Sequence, residues 1–326
     1  MRVLVTGGAG YIGSVTSEVL IEAGHEVTVL DNLSRGHREA VPEGAGFIQA
    51  DVRDLETVRR AIRERRIECV MHFCAWSLVG ESMKDPGAYF ENNVVGMSRL
   101  LQAMVEGGAW GIIFSSSAAT YGEPEEIPIT EDHPRRPTNP YGESKLMCET
   151  MLEWYRRIHD LRFVSLRYFN AAGASEAHGE DHHPETHLIP LALRAASGEG
   201  EPLKIFGRDY PTPDGTCIRD YIHVLDLADA HVLALEKLNE IGGAFFNLGN
   251  GSGYSVLEVV ETVGRVVGKR VPAVDAPRRP GDPARLVASS ERARRILGWR
   301  PSRNQLERIV EDAWKWRQRF PRGYGA

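Results

Sequence analysis

Short apolar runs alternate with longer segments of helical period through the first half of the chain. Val3–Thr6, Glu26–Leu30, Phe47–Ala50, Cys69–Phe73, Gly111–Ser115 and Arg162–Tyr168 have strand length. Between them Gly10–Ala23, a segment from about Asp54 to Arg65, Pro86–Gly107 and Pro140–His159 follow the helical period. Runs apolar on both faces, separated by helices, predict an α/β fold with a doubly wound parallel sheet.

The second half reads differently. Residues 171–220 are rich in Gly, Pro, His and acidic residues, with a helix expected near Leu188–Ser197 and a strand near Lys204–Phe206. A helix follows over Val224–Leu238, and Ala244–Leu248 is expected to return to the sheet. The proline-rich stretch 271–285 reads as loop. This pattern divides the chain into a nucleotide-binding domain over 1–168, with 220–248 returning to it, and a smaller α/β substrate lobe over 169–326. A crevice is expected at the carboxyl ends of the strands.

Composition narrows the function classes. With 326 residues, 42% of them hydrophobic, the chain can bury a large core. Its net charge of −6 disfavours nucleic acid as a partner. No apolar run approaches the ~20 residues of a membrane span, and the N-terminus enters directly into a strand. Cys69, Cys74, Cys148 and Cys217 have no paired spacing, so reduced thiols and a cytoplasmic setting are expected.

Two motifs carry chemistry. The first, Thr6-Gly7-Gly8-Ala9-Gly10-Tyr11-Ile12-Gly13, joins a strand to a helix. Glycines there allow a tight turn, close approach of a pyrophosphate and helix–strand packing, while the helix N-terminus attracts the phosphates. That is the Rossmann dinucleotide cradle. Asp31 ends the second strand, where a carboxylate accepts from a ribose diol and repels a 2′-phosphate, favouring NAD over NADP. Asp51-Val52 falls at the adenine side, and Phe73-Cys74-Ala75 beneath the nicotinamide ribose.

The second motif is Tyr141-Gly142-Glu143-Ser144-Lys145, which puts a phenol and an ammonium on one helical face. For a phenol to act as a base near neutrality its pKa must fall by ~3 units, or ~4 kcal/mol. A lysine ~6 Å away at an effective dielectric of ~20 supplies ~3 kcal/mol, and oxidised nicotinamide the remainder. The strand before it ends in Ser115-Ser116-Ser117, hydroxyls suited to holding the reacting oxygen. Together the motifs predict hydride and proton transfer on a small alcohol.

The two motifs are joined by SSSAATYG at 115–122, RYFNAAG at 167–173, IFGRDYPTPDGTCIRDYIHVLDLADAH at 205–231, NLGNG at 247–251 and APRRPGDP at 276–283. With these the chain resembles, nearly end to end, the extended short-chain dehydrogenase/reductase family, most closely its UDP-glucose 4-epimerases. The resemblance implies Tyr141 as base, Lys145 holding the nicotinamide ribose, and Ser117 binding the sugar hydroxyl. It adds Asn32, Asn92, Ser115 and Tyr168 to the cofactor side, beside Tyr141 and Lys145. On the UDP-sugar side it implies Asn170, Leu188, Phe206, Arg219, Tyr221, Arg279 and Asp282, beside Ser117 and Tyr141. It further implies C4 epimerisation through a 4-keto sugar in galactose metabolism, a tightly bound NAD, and a homodimer formed through helices 86–107 and 140–158.

Two positions depart from that pattern. Trp76-Ser77 stands where some members carry a lysine near the cofactor, and Leu286 where some carry a large aromatic residue. The smaller leucine leaves UDP-GlcNAc open as a substrate, and UDP-pentoses and UDP-hexuronates also stay open. A sugar-nucleotide 4,6-dehydratase is disfavoured by Ala118-Ala119, and a non-catalytic NAD-binding module by the intact Tyr141, Lys145 and Ser117. His178, His182, His183 and His187, with Glu180, Asp181 and Glu185, read as a solvated loop near the substrate, with no metal.

Overall fold

The computed structural model of the chain describes residues 1–279 and 282–325. Strands β1 (Arg2–Thr6), β2 (Glu26–Asp31), β3 (Gly46–Gln49), β4 (Cys69–His72), β5 (Gly111–Ser117) and β6 (Arg162–Tyr168) fall where the apolar runs predict. The chain then passes through β7 (Asn170–Ala172), β8 (Leu203–Phe206), β9 (Ile218–Arg219) and β10 (Tyr221–His223). It comes back as β11 (Gly243–Leu248), which pairs in parallel with β6 and completes a seven-stranded sheet ordered β11-β6-β5-β4-β1-β2-β3. Strand order reverses between β1 and β4, and a crevice opens at such a switch point.

Alternation along each strand sorts the core onto two faces. Val3, Val5, Met71, Ile113, Val164 and Phe246 share one buried cluster, while Leu4, Val70, Ile112, Phe114 and Phe163 share the other. Helices cover both sides because neither face is polar. The helix Tyr11–Glu22 meets Val224–Glu236 through Tyr11, Val15, Val224 and Ala228. A third cluster, including Ile189, Leu193, Val259, Val263 and Ile309, forms the core of the remaining part.

Three elements differ from the pattern reading. The expected helix 86–107 begins at Pro86–Tyr89, widens to a π-type turn over Phe90–Val95, then runs as Gly96–Gly107. After β12 (Tyr254–Ser255), the stretch read as loop contains β13 (Ala273–Ala276), parallel to β8, and ends in β14 (Arg285–Leu286), parallel to β9. The first three residues of β13 are exposed, so it carries no apolar period to read. Among the described residues, no helix is long and apolar enough to cross a membrane.

Candidate active site

The glycine turn is shaped by close backbone approach. Gly7 lies at φ +78°, and a Cβ there would stand 2.6 Å from the Cys74 amide nitrogen, so only glycine lets the turns after β1 and β4 meet. A Cβ at Gly13 would overlap the Gly7 carbonyl oxygen, whereas at Gly10 the nearest atom is 3.4 Å away. The helix Tyr11–Glu22 begins with no side-chain cap and no acid in its first turn, leaving its first N–H groups for an anion. Ile12 packs into the core behind it. These residues fit a dinucleotide.

Asp31 is 6% exposed and not a solvated turn acid. Its Oδ2 accepts from the Ala9 amide at 3.1 Å and its Oδ1 from the Leu33 amide at 2.9 Å. Burial raises its pKa, and the two backbone donors pull the other way. Asn32 donates to Asp51 Oδ2 at 2.9 Å, and Arg53 grips the same carboxylate through two bonds of 2.8 Å. That grip holds the Asp51 carboxyl well below its ordinary range. Asp31, Asn32, Asp51 and the buried Val52 thus meet at the ends of β2 and β3.

On the other side of the switch point, Phe73, Cys74 and Ala75 leave β4, and Trp76 follows. Asn93, not Asn92, anchors this turn. It lies buried in the π-type turn, accepts from the Trp76 amide (2.9 Å) and donates to the Trp76 carbonyl (3.0 Å) and Ser144 Oγ (2.9 Å). Asn92 donates to Asn93 Oδ1 at 3.0 Å. The Asn-Asn doublet in an otherwise helical pattern was the available signal for the second residue.

Pro140–His159 is one helix, started by Pro140 in its first turn and by Asn139, which accepts from the Gly142 amide at 2.9 Å. Tyr141 and Lys145 share its inner face. The three serines of β5 divide their work. Ser115 is paired with the Tyr168 hydroxyl, Ser116 donates to Glu149, and Ser117 stands beside the Tyr141 phenol.

The expected electrostatics of the pair need correction. Burial raises the Tyr141 phenol above its ordinary value, and the opposing influence comes from Ser117. Lys145 Nζ is turned to the Ser115 carbonyl at 2.7 Å and lies 5.9 Å from the Tyr141 ring centre. Its own ammonium is disfavoured by burial, down to about 8. In the chain alone, burial outweighs the Ser117 contact at the phenol.

Behind this helix lies a network that spacing did not reveal. Glu149, one turn beyond Lys145, accepts from Arg167 Nη2 at 2.7 Å, Arg167 Nε at 2.8 Å, Ser116 Oγ at 2.8 Å and Ser165 Oγ at 2.9 Å. Both ions are buried, and the pair locks the helix Pro140–His159 onto β5 and β6. Its only sequence trace is an acid on the apolar face of a helix opposite an arginine inside a strand.

The residues expected on the sugar side gather beyond β6. Asn170 and Tyr221 are register partners in β7 and β10, and Asn170 donates to the Asp220 carbonyl at 2.9 Å. Leu188 opens the helix Leu188–Ala196. The Arg279 guanidinium lies 4.0 Å from the Phe206 ring centre. Arg219 is engaged by Asp282 and the Pro283 carbonyl. Leu286 sits opposite Arg219 in β14.

The histidine-rich segment is an irregular loop that is solvated only in part, with His183 exposed. The side chains of Glu180 and Glu185 are buried, and His182 stands edge-on to Tyr11 with ring centres 6.3 Å apart. Tyr11 itself donates to the Gly173 carbonyl at 2.7 Å. The segment therefore packs on the cofactor turn.

Comparison with known proteins agrees with this geometry. Residues 3–249 match the model of the NAD dependent epimerase/dehydratase family. A UDP-glucose 4-epimerase of Lacticaseibacillus casei is 51% identical, covering 100% of this chain and 99% of that protein. The UDP-glucose 4-epimerase of Brucella ovis, solved in complex with NAD, superposes with a TM-score of 0.94 at 46% identity, covering 96% of this chain and 97% of that one. That of Bifidobacterium longum, solved with NAD+ and UDP, gives 0.94 at 38% identity, covering 99% and 100%. The glycine turn, the buried Asp31 and the Tyr141–Lys145 face thus stand in a chain that belongs to the NAD dependent epimerase/dehydratase family.

Proposed function

We propose that the protein interconverts UDP-glucose and UDP-galactose by inverting C4 through a 4-keto sugar, with NAD as a tightly held cofactor. The observation that carries this reading is Tyr141 beside Ser117, with Lys145 one helical turn on, at the same strand ends as the glycine turn and Asp31.

Gly7, Gly10, Tyr11, Ile12 and Gly13 would cradle the pyrophosphate, with Asp31 and Asn32 on the ribose and Asp51-Val52 beside adenine. Phe73, Cys74, Ala75, Asn92, Ser115, Tyr168 and Lys145 would line the nicotinamide side. When bound, NAD supplies the hydride acceptor at C4, and a positive charge beside the phenol. Tyr141 as phenolate takes the proton of the C4 hydroxyl and gives it back to O4 on the opposite course, so the base ends each turnover unchanged. Ser117 orients that oxygen. Asn170, Leu188, Phe206, Tyr221 and Arg279 would hold the nucleotide diphosphate, with the Arg219–Asp282 pair fixing the wall beside them. Between those two proton transfers the 4-keto sugar would turn over while its anchor stays in place, so that C4 would regain its hydride on the opposite face.

In this reading residues 1–168, joined by 220–248, form the cofactor domain, and 169–326 the substrate lobe. Met147, Trp154 and Ile158 are exposed along one stripe of the catalytic helix and support pairing of two copies there. Sedimentation of a Trp154→Glu variant as a monomer, against a parent dimer, tests it. The four cysteines are free thiols, which supports a cytoplasmic setting.

The deciding experiment is incubation of the purified protein with UDP-galactose, UDP-GlcNAc and UDP-xylose, without added NAD, and identification of the products by NMR. Conversion of UDP-galactose to UDP-glucose is expected. Conversion of none of the three, with NAD then supplied, rejects the reading. Leu286, smaller than an aromatic residue, leaves UDP-GlcNAc open as a second substrate.

A further inference from the structure

Beside the cofactor turn, charge is buried in an unusual form in the segment 178–187. Glu180 and Glu185 keep 8% and 5% of their side-chain surface, and among the described residues neither pairs with lysine or arginine. Their partners are imidazoles. His187 Nδ1 lies 2.7 Å from Glu180 Oε1 and 3.0 Å from Glu185 Oε1, while His182 Nδ1 lies 3.2 Å and 4.0 Å from the two carboxylates. With neutral imidazoles the cluster carries two uncompensated negative charges out of water, which is costly. One divalent cation cancels them.

The spacing fits such an ion. Four donors at tetrahedral corners, each about 2.0–2.1 Å from a shared zinc, stand about 3.3–3.4 Å from one another. One donor atom from each of the four side chains already lies within 4.8 Å of the others. We propose that Glu180, His182, Glu185 and His187 bind a divalent transition-metal ion of the zinc class, which fixes the conformation of this segment where it packs on Tyr11. Two imidazoles and two carboxylates suit that class, whereas calcium and magnesium take six or more ligands, chiefly oxygen.

The surroundings are those of a structural site. The Thr186 and His187 amides donate to Glu185 Oε1 at 2.7 and 2.8 Å, aiming that carboxylate. His182 meets the Tyr11 ring, and His187 directly precedes Leu188, the first residue of a substrate-lobe helix. Four protein donors close the coordination shell, so the ion holds geometry and takes no part in the hydride chemistry. The neighbouring trio His37, Asp181 and His183 is more open, with the His183 side chain 76% exposed, and it provides the control.

The test uses the untagged full chain, stripped with EDTA and titrated with Zn²⁺ by calorimetry and with Co²⁺ by visible absorption. One Zn²⁺ per chain, intense tetrahedral Co²⁺ bands and a higher unfolding temperature with one equivalent of Zn²⁺ are expected. His182→Ala and Glu185→Gln should each weaken Zn²⁺ binding by about 100-fold or more, while His183→Ala leaves it unchanged. Absence of saturable one-to-one binding by the parent overturns the proposal and leaves protonated imidazoles as the partners of the two acids. Loss of binding in His183→Ala with retention in His182→Ala also overturns it. The parent titration decides even where a variant does not fold.

Discussion

The helix that carries Tyr141 and Lys145 and the segment that carries His182 and His187 both hold charge away from water, by different means. Behind the catalytic helix, Glu149 meets Arg167, whose charge is permanent, and both sit on regular elements with hydroxyls filling the remaining positions. In the segment 178–187, Glu180 and Glu185 meet imidazoles on irregular backbone. The first arrangement is complete in the chain alone. The second is balanced only by added protons or an added cation, so the two regions should respond differently to the same kind of damage.

Substitution at the catalytic face gives the largest effect. Tyr141→Phe removes the proton acceptor while leaving the packing intact, and turnover of UDP-galactose should fall by about 10³-fold with NAD still bound. Near-normal turnover in that variant removes Tyr141 from its role. Next in size is Glu149→Gln, which strands a buried guanidinium. A loss of about 3–5 kcal/mol in urea unfolding is expected. In EDTA-treated protein, His182→Ala should cost only about 1 kcal/mol, because it deletes a conditional partner. Equal losses would erase the contrast between the regions.

Lys145 offers a finer probe. Burial lowers its pKa from 10.5 to about 8, so between those values the unfolded chain holds the proton that the folded chain has released. Stability should therefore rise with pH across that window, by up to about 1.4 kcal/mol per pH unit. Lys145→Met should lose this increment, measured as the difference between the two unfolding free energies at pH 8 and pH 9.5. Asp31 probes the cofactor turn instead. Asp31→Asn keeps an acceptor but removes the charge, and calorimetry should show NAD binding weakened about tenfold, with less discrimination against NADP.

Local signals made most of the fold legible. β6 keeps the bounds its apolar run predicts, and the helix Pro140–His159 those of its helical period. β13 was not legible, because an exposed strand among prolines depends on β8 for its existence. The π-type turn was hidden for a similar reason. One extra residue per turn leaves no periodic mark over Phe90–Val95.

At the site, the glycine turn, Asp31 and the Tyr141–Lys145 face follow from spacing alone, since turn geometry and helical periodicity act over a few residues. Which charges are favoured there was settled only by tertiary contacts. Lys145 is turned to a carbonyl thirty residues away, and Arg219 is closed off by Asp282, sixty-three residues on. Likewise, burial of Glu180 and Glu185 against Tyr11 needs two distant parts of the chain to meet. Desolvation and pairing depend on what surrounds an atom in space, and neighbours along the chain supply little of that.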